Sequence, residues 1–198
     1  VFHIAAALNV FYGWHERKAT DHVAGLSYAG AAIAALHAGD LVTLFIWWEA
    51  TAVTSVFLIL ASGTQRARRA AMRYLIVQVA SGVLLLAGAA MLYSESGSLA
   101  FAGMTLGSTG TWMIFIAFGI KAAFPLLNGW LQDAYPEATV VGTVVLSSFT
   151  TKLAIYALAR GFAGTDLLIL IGCLMTAFPV FFAVIENDMR RVLAYSLN

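Results

Sequence analysis

Charge is scarce in this chain. Only 11% of its 198 residues are Asp, Glu, Lys or Arg, against about 25% in an ordinary soluble domain. There is a single cysteine, Cys173, inside an apolar run, so no internal disulfide can form. No Cys-x-x-Cys, no cluster with metal-ligand spacing, no Gly-rich phosphate loop and no nucleophile elbow occurs. A self-contained enzyme is therefore not expected, and neither a cofactor nor a metal is implied. A net charge of +1 gives no reason to expect nucleic acid as a partner.

What the chain has in quantity is apolar sequence. It is 61% hydrophobic with a mean hydropathy of +0.86. An open sheet cannot satisfy its backbone in lipid, so long apolar runs imply helices. A span needs about 20 apolar residues. The pattern predicts one all-α, polytopic transmembrane bundle over residues 1–198. Its helices should cover 1–13 (partial), 22–38, 41–62, 71–93, 111–134 (broken), 139–160 and 166–186, with another starting at 188–198. Asp40 and Asp166 stand where N-caps are needed. The chain opens on Val1 inside an apolar run and closes on Asn198 just past a basic turn, so it is expected to be a piece of a longer protein.

The basic residues test this map. Connections 14–21, 63–73, 134–138 and 187–191 should share one side. They hold Arg17, Lys18, Arg66, Arg68, Arg69, Arg73, Arg190 and Arg191, whereas the other side holds only Arg160. By the positive-inside rule the Arg-rich connections face the cytoplasm. The localisation expected is a cell (inner or plasma) membrane, with lipid as one partner and the Arg-rich run touching anionic headgroups.

Three charges break the apolar pattern. At 1.5 Å per residue, Glu49 lies about 13 Å, Lys121 about 15 Å and Lys152 about 19 Å into their helices, all near the middle of a hydrocarbon core about 30 Å thick. A charge there costs roughly 2.5–3.5 kcal/mol on insertion scales and marks an ion or proton pathway by default. Pro125 follows Lys121 by four positions and removes the N–H that would bond its carbonyl, which predicts a helix break. Broken helices at this depth line wet cavities and build ion sites. Ser148, Lys152 and Tyr156 share one helix face at a spacing of four, and Thr143, Ser147, Thr150 and Thr151 widen the polar stripe. His37, near Asp40, is a candidate for proton entry. Trp47 and Trp48 read as packing, and Gly25, Gly30, Gly82 and Gly88 as positions of close helix approach.

The stretch FGIKAAFPLLNGWLQDAYPEATVVGTVVLSSFTTKLAIYALARGF, with AVIENDMRRVLAYS after it, resembles the proton-translocating antiporter-like membrane subunit family. That family includes the D subunit of the Mrp-type multisubunit Na+/H+ antiporter and the antiporter-like subunits of respiratory complex I. LVTLFIWWEATAVTSVFLIL is similar to the family's helix with a buried glutamate. The resemblance implies that Glu49 pairs electrostatically with Lys121 on the broken helix and that Lys152 relays protons laterally. It implies the first of two inverted five-helix repeats, with the second mostly absent. It also implies other subunits of a membrane complex, protons, and Na+ or another monovalent cation as partners. Asn128 stands where the family usually has a histidine, and an amide cannot carry a proton near neutral pH.

The function expected is a subunit of a multisubunit monovalent cation/proton antiporter. The alternative is a proton-pumping membrane-arm subunit of a redox complex, of NADH:quinone oxidoreductase or membrane-bound hydrogenase type. A lysine beside a carboxylate keeps its proton, and the same lysine moved into apolar surroundings releases it. A changing Glu49–Lys121 distance would then drive a proton toward Lys152.

Overall fold

The computed structural model describes residues 1–197. Its helices are α1 (Phe2–Tyr12), α2 (Ala19–Leu36), α3 (Leu41–Leu60), α4 (Gln65–Ser96), α5 (Thr109–Ala122), α6 (Gly129–Ala134), α7 (Val140–Gly161), α8 (Asp166–Ile185) and α9 (Met189–Ser196), with short 3-10 turns at Gly13–His15 and Tyr135–Glu137. The described residues are helical throughout, joined by turns and one loop. The helices α3, α4, α7 and α8 are each long and apolar enough to cross a membrane. By contrast α2 is rich in Ala and Gly and falls outside that group. At 1.5 Å per residue α5 is about 21 Å long, short of the hydrocarbon thickness, so it is one half of an interrupted span.

Local chemistry sets the helix starts. Asp40 caps α3: its Oδ1 accepts from the Thr43 amide at 2.7 Å, and its Oδ2 accepts from the Thr43 hydroxyl at 2.7 Å. These bonds hold the Asp40 carboxyl below the usual carboxylate range. A capping box of Ser108 and Thr111 opens α5, and Thr139 caps α7 by accepting from the Gly142 amide at 3.0 Å. Thr165, not Asp166, is the N-cap of α8. Asp166 is instead its first residue, where a negative charge suits the helix dipole.

Two expected loops are partly helical. Thr64 accepts from the Ala67 amide at 3.0 Å, so α4 begins at Gln65 and carries Arg66 to Arg73 on its first turns rather than on a loop over 63–73. Gln, Arg, Ala and Met all favour helix, and charge did not mark a boundary there. At 32 residues α4 is about 48 Å long and outreaches the apolar core. Likewise α2 starts at Ala19, so Asp21 is not in the expected 14–21 connection but in a first helical turn, only 2% exposed.

Helices α2 to α5 pack in succession, and α7 lies against α1, α2, α3 and α5. One core cluster gathers Tyr28, Tyr74, Trp130, Tyr135 and Phe149. The other gathers Leu44, Trp48, Phe115, Phe118 and Phe162. Gly88 and Gly110 let α4 and α5 touch backbone to backbone: a Cβ on Gly88 would stand 2.7 Å from the Gly110 carbonyl oxygen. Arg66, Arg69, Arg73 and Arg191 meet Asp133 and Glu137 around one cavity of about 250 Å³, so the basic residues do share one end of the bundle. Arg73 and Asp133 pair there at 3.1 Å.

Candidate functional site

The site is built on the break after α5. Gly119 has no side chain, and the Phe124 ring fills the space where its Cβ would be. That seat folds the chain back. The Phe124 amide donates to the Gly119 carbonyl at 2.9 Å, and the Ala123 amide to the Ile120 carbonyl at 3.2 Å. Ala123 takes the left-handed conformation, with φ 64° and ψ 48°, and Leu126 does so with φ 71°. For a residue with a Cβ this costs about 1–2 kcal/mol. The break expected at Pro125 therefore opens two residues earlier. Pro125 disfavours helix at Phe124 and prevents its resumption. Trp130 Nε1 is a second donor to the Ile120 carbonyl, at 3.0 Å.

Lys121 lies in the last turn of α5 and is 1% exposed. Its Nζ donates to the Trp48 carbonyl at 2.8 Å and to Thr51 Oγ1 at 2.7 Å. It also sits 4.4 Å above the Trp48 ring centre, close enough for a cation–π attraction. The negative end of the α5 dipole favours the ammonium further. Trp48 is fixed in turn: its Nε1 donates to Ser81 Oγ at 3.0 Å, and Ser81 donates to the Ala117 carbonyl at 2.8 Å. The reading of Trp48 as packing alone is corrected by these contacts.

Glu49 leaves α3 toward α4, and its carboxylate occupies the space that a Cβ on Gly82 would need. Gly82 is thus a cradle for a carboxylate more than a point of close helix approach. Glu49 Oε1 is buried without a protein partner, and so are both amide atoms of Gln78, one turn before Gly82. Among the described residues no direct ion pair joins Glu49 and Lys121.

The other candidates are scattered. Lys152 is exposed on α7 and does not share the buried Lys121 contacts. Ser148 donates to the Val144 carbonyl at 2.8 Å and to Asn9 Oδ1 at 3.4 Å. Thr143 and Ser147 bond back to carbonyls of the same region, so much of the stripe is satisfied locally. His37 is exposed, bonded through Nδ1 to the Ile33 carbonyl at 2.8 Å and edge-on to His3 at 6.3 Å. Asn128 precedes α6 without a side-chain cap bond.

The residue pattern alone did not point to one further cluster. Tyr74 OH pairs with Ser55 Oγ at 2.8 Å, Tyr28 OH with Thr150 Oγ1, and Tyr135 OH donates to the Leu146 carbonyl at 3.2 Å. All three tyrosines are buried. Their signal was available, because a tyrosine inside an apolar span needs a partner for its hydroxyl.

The match to known proteins follows this architecture. Residues 38–197 fit the family model described as NADH:quinone oxidoreductase/Mrp antiporter, TM. The D subunit of the Na(+)/H(+) antiporter of Alkalihalophilus pseudofirmus is 30% identical over 179 residues, 80% of this chain and 36% of that protein. NAD(P)H-quinone oxidoreductase chain 4-2 of a Synechocystis species is 27% identical over 217 residues, 98% of this chain and 38% of that protein. A chain in the structure of the Mrp complex from a Dietzia species superposes with a TM-score of 0.79 at 27% identity, over 87% of this chain and 36% of that one. The present chain thus spans little more than a third of the length of these relatives. With its apolar spans, its interrupted helix and this match over most of its length, the chain belongs to the NADH:quinone oxidoreductase/Mrp antiporter transmembrane family.

Proposed function

We propose that the chain is part of an antiporter-like subunit that carries protons across the membrane through Glu49, Lys121 and Lys152, within a multisubunit monovalent cation/proton antiporter. The observation that carries this reading is the buried Lys121 ammonium at a helix break, held by Trp48 and Thr51 beside a carboxylate with an unpartnered oxygen. A displacement that separates Lys121 from Glu49 releases the proton. Water and the hydroxyls of α7 then conduct it toward Lys152, which faces outward toward an onward site. The spans α3 to α8 stand for the first of two inverted repeats, the Arg-bearing end faces the cytoplasm, and Na+ or another monovalent cation is the counter-ion. Pro125 preserves the break, while His37 and Ser148 are auxiliary groups away from it.

A second reading is a proton-pumping arm of a redox complex, favoured by the likeness to the Synechocystis quinone oxidoreductase chain. The test uses the intact parent complex in sealed vesicles, with a sodium gradient and a pH dye inside. A sodium-driven pH change that Lys121→Ala abolishes, with assembly intact, supports the antiporter. A pH change that needs an electron donor selects the redox reading. Undiminished transport by Lys121→Ala sinks both.

A further inference from the structure

We infer that Asp21 is a second proton-binding site, with Asn9 orienting its water, in a small pocket at the Arg-bearing end of the bundle that supplies Lys152 without passing Lys121. The inference rests on the proposed proton-carrying role of Lys152.

The pocket lies between α1, α2 and α7. Its volume is about 30 Å³, room for about two waters at roughly 10–15 Å³ each by the same measure. Its walls are apolar (Val145 and Phe149 among them), but Asn9, Asp21 and His22 open into it. Asp21 is 2% exposed. Its Oδ1 accepts from Thr139 Oγ1 at 2.9 Å, while its Oδ2 has no protein partner. Across the pocket Asn9 Nδ2 is likewise buried without one. One atom is an acceptor and the other a donor, so a single water can give to Oδ2 and take from Nδ2. Among the described residues no cation pairs with Asp21. A lone buried carboxylate is costly unless it is hydrated or takes a proton. Its unpartnered Oδ2 is the atom that would take the proton.

The pocket has an entrance and an exit. Toward the surface, His22 lines it and holds the Glu16 carbonyl at 2.8 Å in an exposed turn. Gly13 closes the same end: a Cβ there would stand 3.2 Å from Val141 Cγ1. Toward the membrane interior, Asn9 Oδ1 accepts from Ser148 Oγ at 3.4 Å. Lys152 is one turn beyond Ser148 on the same face of α7. A proton arriving on water passes to the Asp21 carboxylate, returns to a pocket water, and is handed by a further water, held between Asn9 and Ser148, to the Lys152 amine once that amine has given up its own proton to the onward site; Asn9 itself carries no proton. Nothing is oxidised or reduced, and the carboxylate is regenerated.

A merely structural Asp21 would tie α2 to Thr139, the cap of α7. The variants separate the two roles. Asp21→Asn keeps an oxygen for Thr139 and loses the proton site. Thr139→Val cuts the tie and keeps the carboxylate. In sealed vesicles of the parent complex, driven by whichever gradient or donor the wild type uses, Asp21→Asn should lower proton flux per assembled complex by about tenfold or more. Asp21→Glu should retain most of it, and Thr139→Val should lower yield more than flux. Wild-type flux in Asp21→Asn overturns the proposal, and so do equal flux losses in Asp21→Asn and Thr139→Val. Infrared difference spectra between two pH values distinguish failure of this site from failure of the Lys121 pathway. A carboxyl C=O band removed by Asp21→Asn and kept in Lys121→Ala is expected whether or not the complex transports. Absence of an Asp21-dependent band overturns the proposal.

Discussion

At the scale of single residues the centre of the bundle turns on a missing side chain. Gly82 is where it is because Glu49 needs its space. In Gly82→Ala the new methyl meets the mobile end of Glu49 and not backbone, so the carboxylate swings aside. Displacing a rotamer costs about 0.5–1.5 kcal/mol, and Ala over Gly in a helix returns about 1 kcal/mol. Thermal stability should therefore hardly change, while under the proposed mechanism, in which Glu49 sets the charge state of Lys121, proton flux per assembled complex should fall about tenfold. Unchanged flux would show that the position of this carboxylate does not matter. Glu49 and Lys121 were legible in the sequence because a charge inside an apolar run stands out. Gly82, Trp48 and Asp21 were not. Gly82 and Trp48 matter only through the neighbour each meets across a helix interface. Asp21 was masked by adjacent Lys and Arg that made its segment resemble a surface turn.

Between elements, glycine has the opposite consequence. Gly88 faces the Gly110 carbonyl oxygen at 2.7 Å and the Ile114 amide at 3.0 Å from where a Cβ would be, and backbone atoms cannot swing away. Gly88→Ala should push α4 from α5 at a cost of about 1–3 kcal/mol, exceeding the gain in helix propensity. Denaturation in detergent should come at lower temperature, with flux per surviving complex near normal. Retained stability would mean that α4 and α5 slide freely. The helix break shows where sequence reasoning reaches its limit. Pro125 announced a break, and the chain breaks, but the turn begins at Ala123 because Phe124 seats on Gly119. Helix α4 shows a different limit. Arginine favours helix as well as marking an expected cytoplasmic side, so the basic run did not locate the helix end.

For the whole molecule, the distribution of basic residues was the most legible feature, and the structure gathers Arg66, Arg69, Arg73 and Arg191 at one end. Orientation can be measured with the two ends of α4, since Arg68 and Glu95 are both exposed. With Cys173→Ser as background, the other subunits' accessible thiols blocked beforehand, Arg68→Cys should react with a membrane-impermeant thiol reagent only from the cytoplasmic side. Glu95→Cys should react only from the opposite side. The reverse pattern would invert the pathway drawn above.

The short, lysine-bearing α5 also bears on how the protein is made. A helix of about 21 Å with a charge in its last turn is a poor candidate to enter the bilayer unaided. The ribosome, however, completes α3 and α4 first. Trp48, Thr51 and Gly82 have already been made when Lys121 emerges, so carbonyl and hydroxyl oxygens that can take its ammonium in place of lipid precede it along the chain.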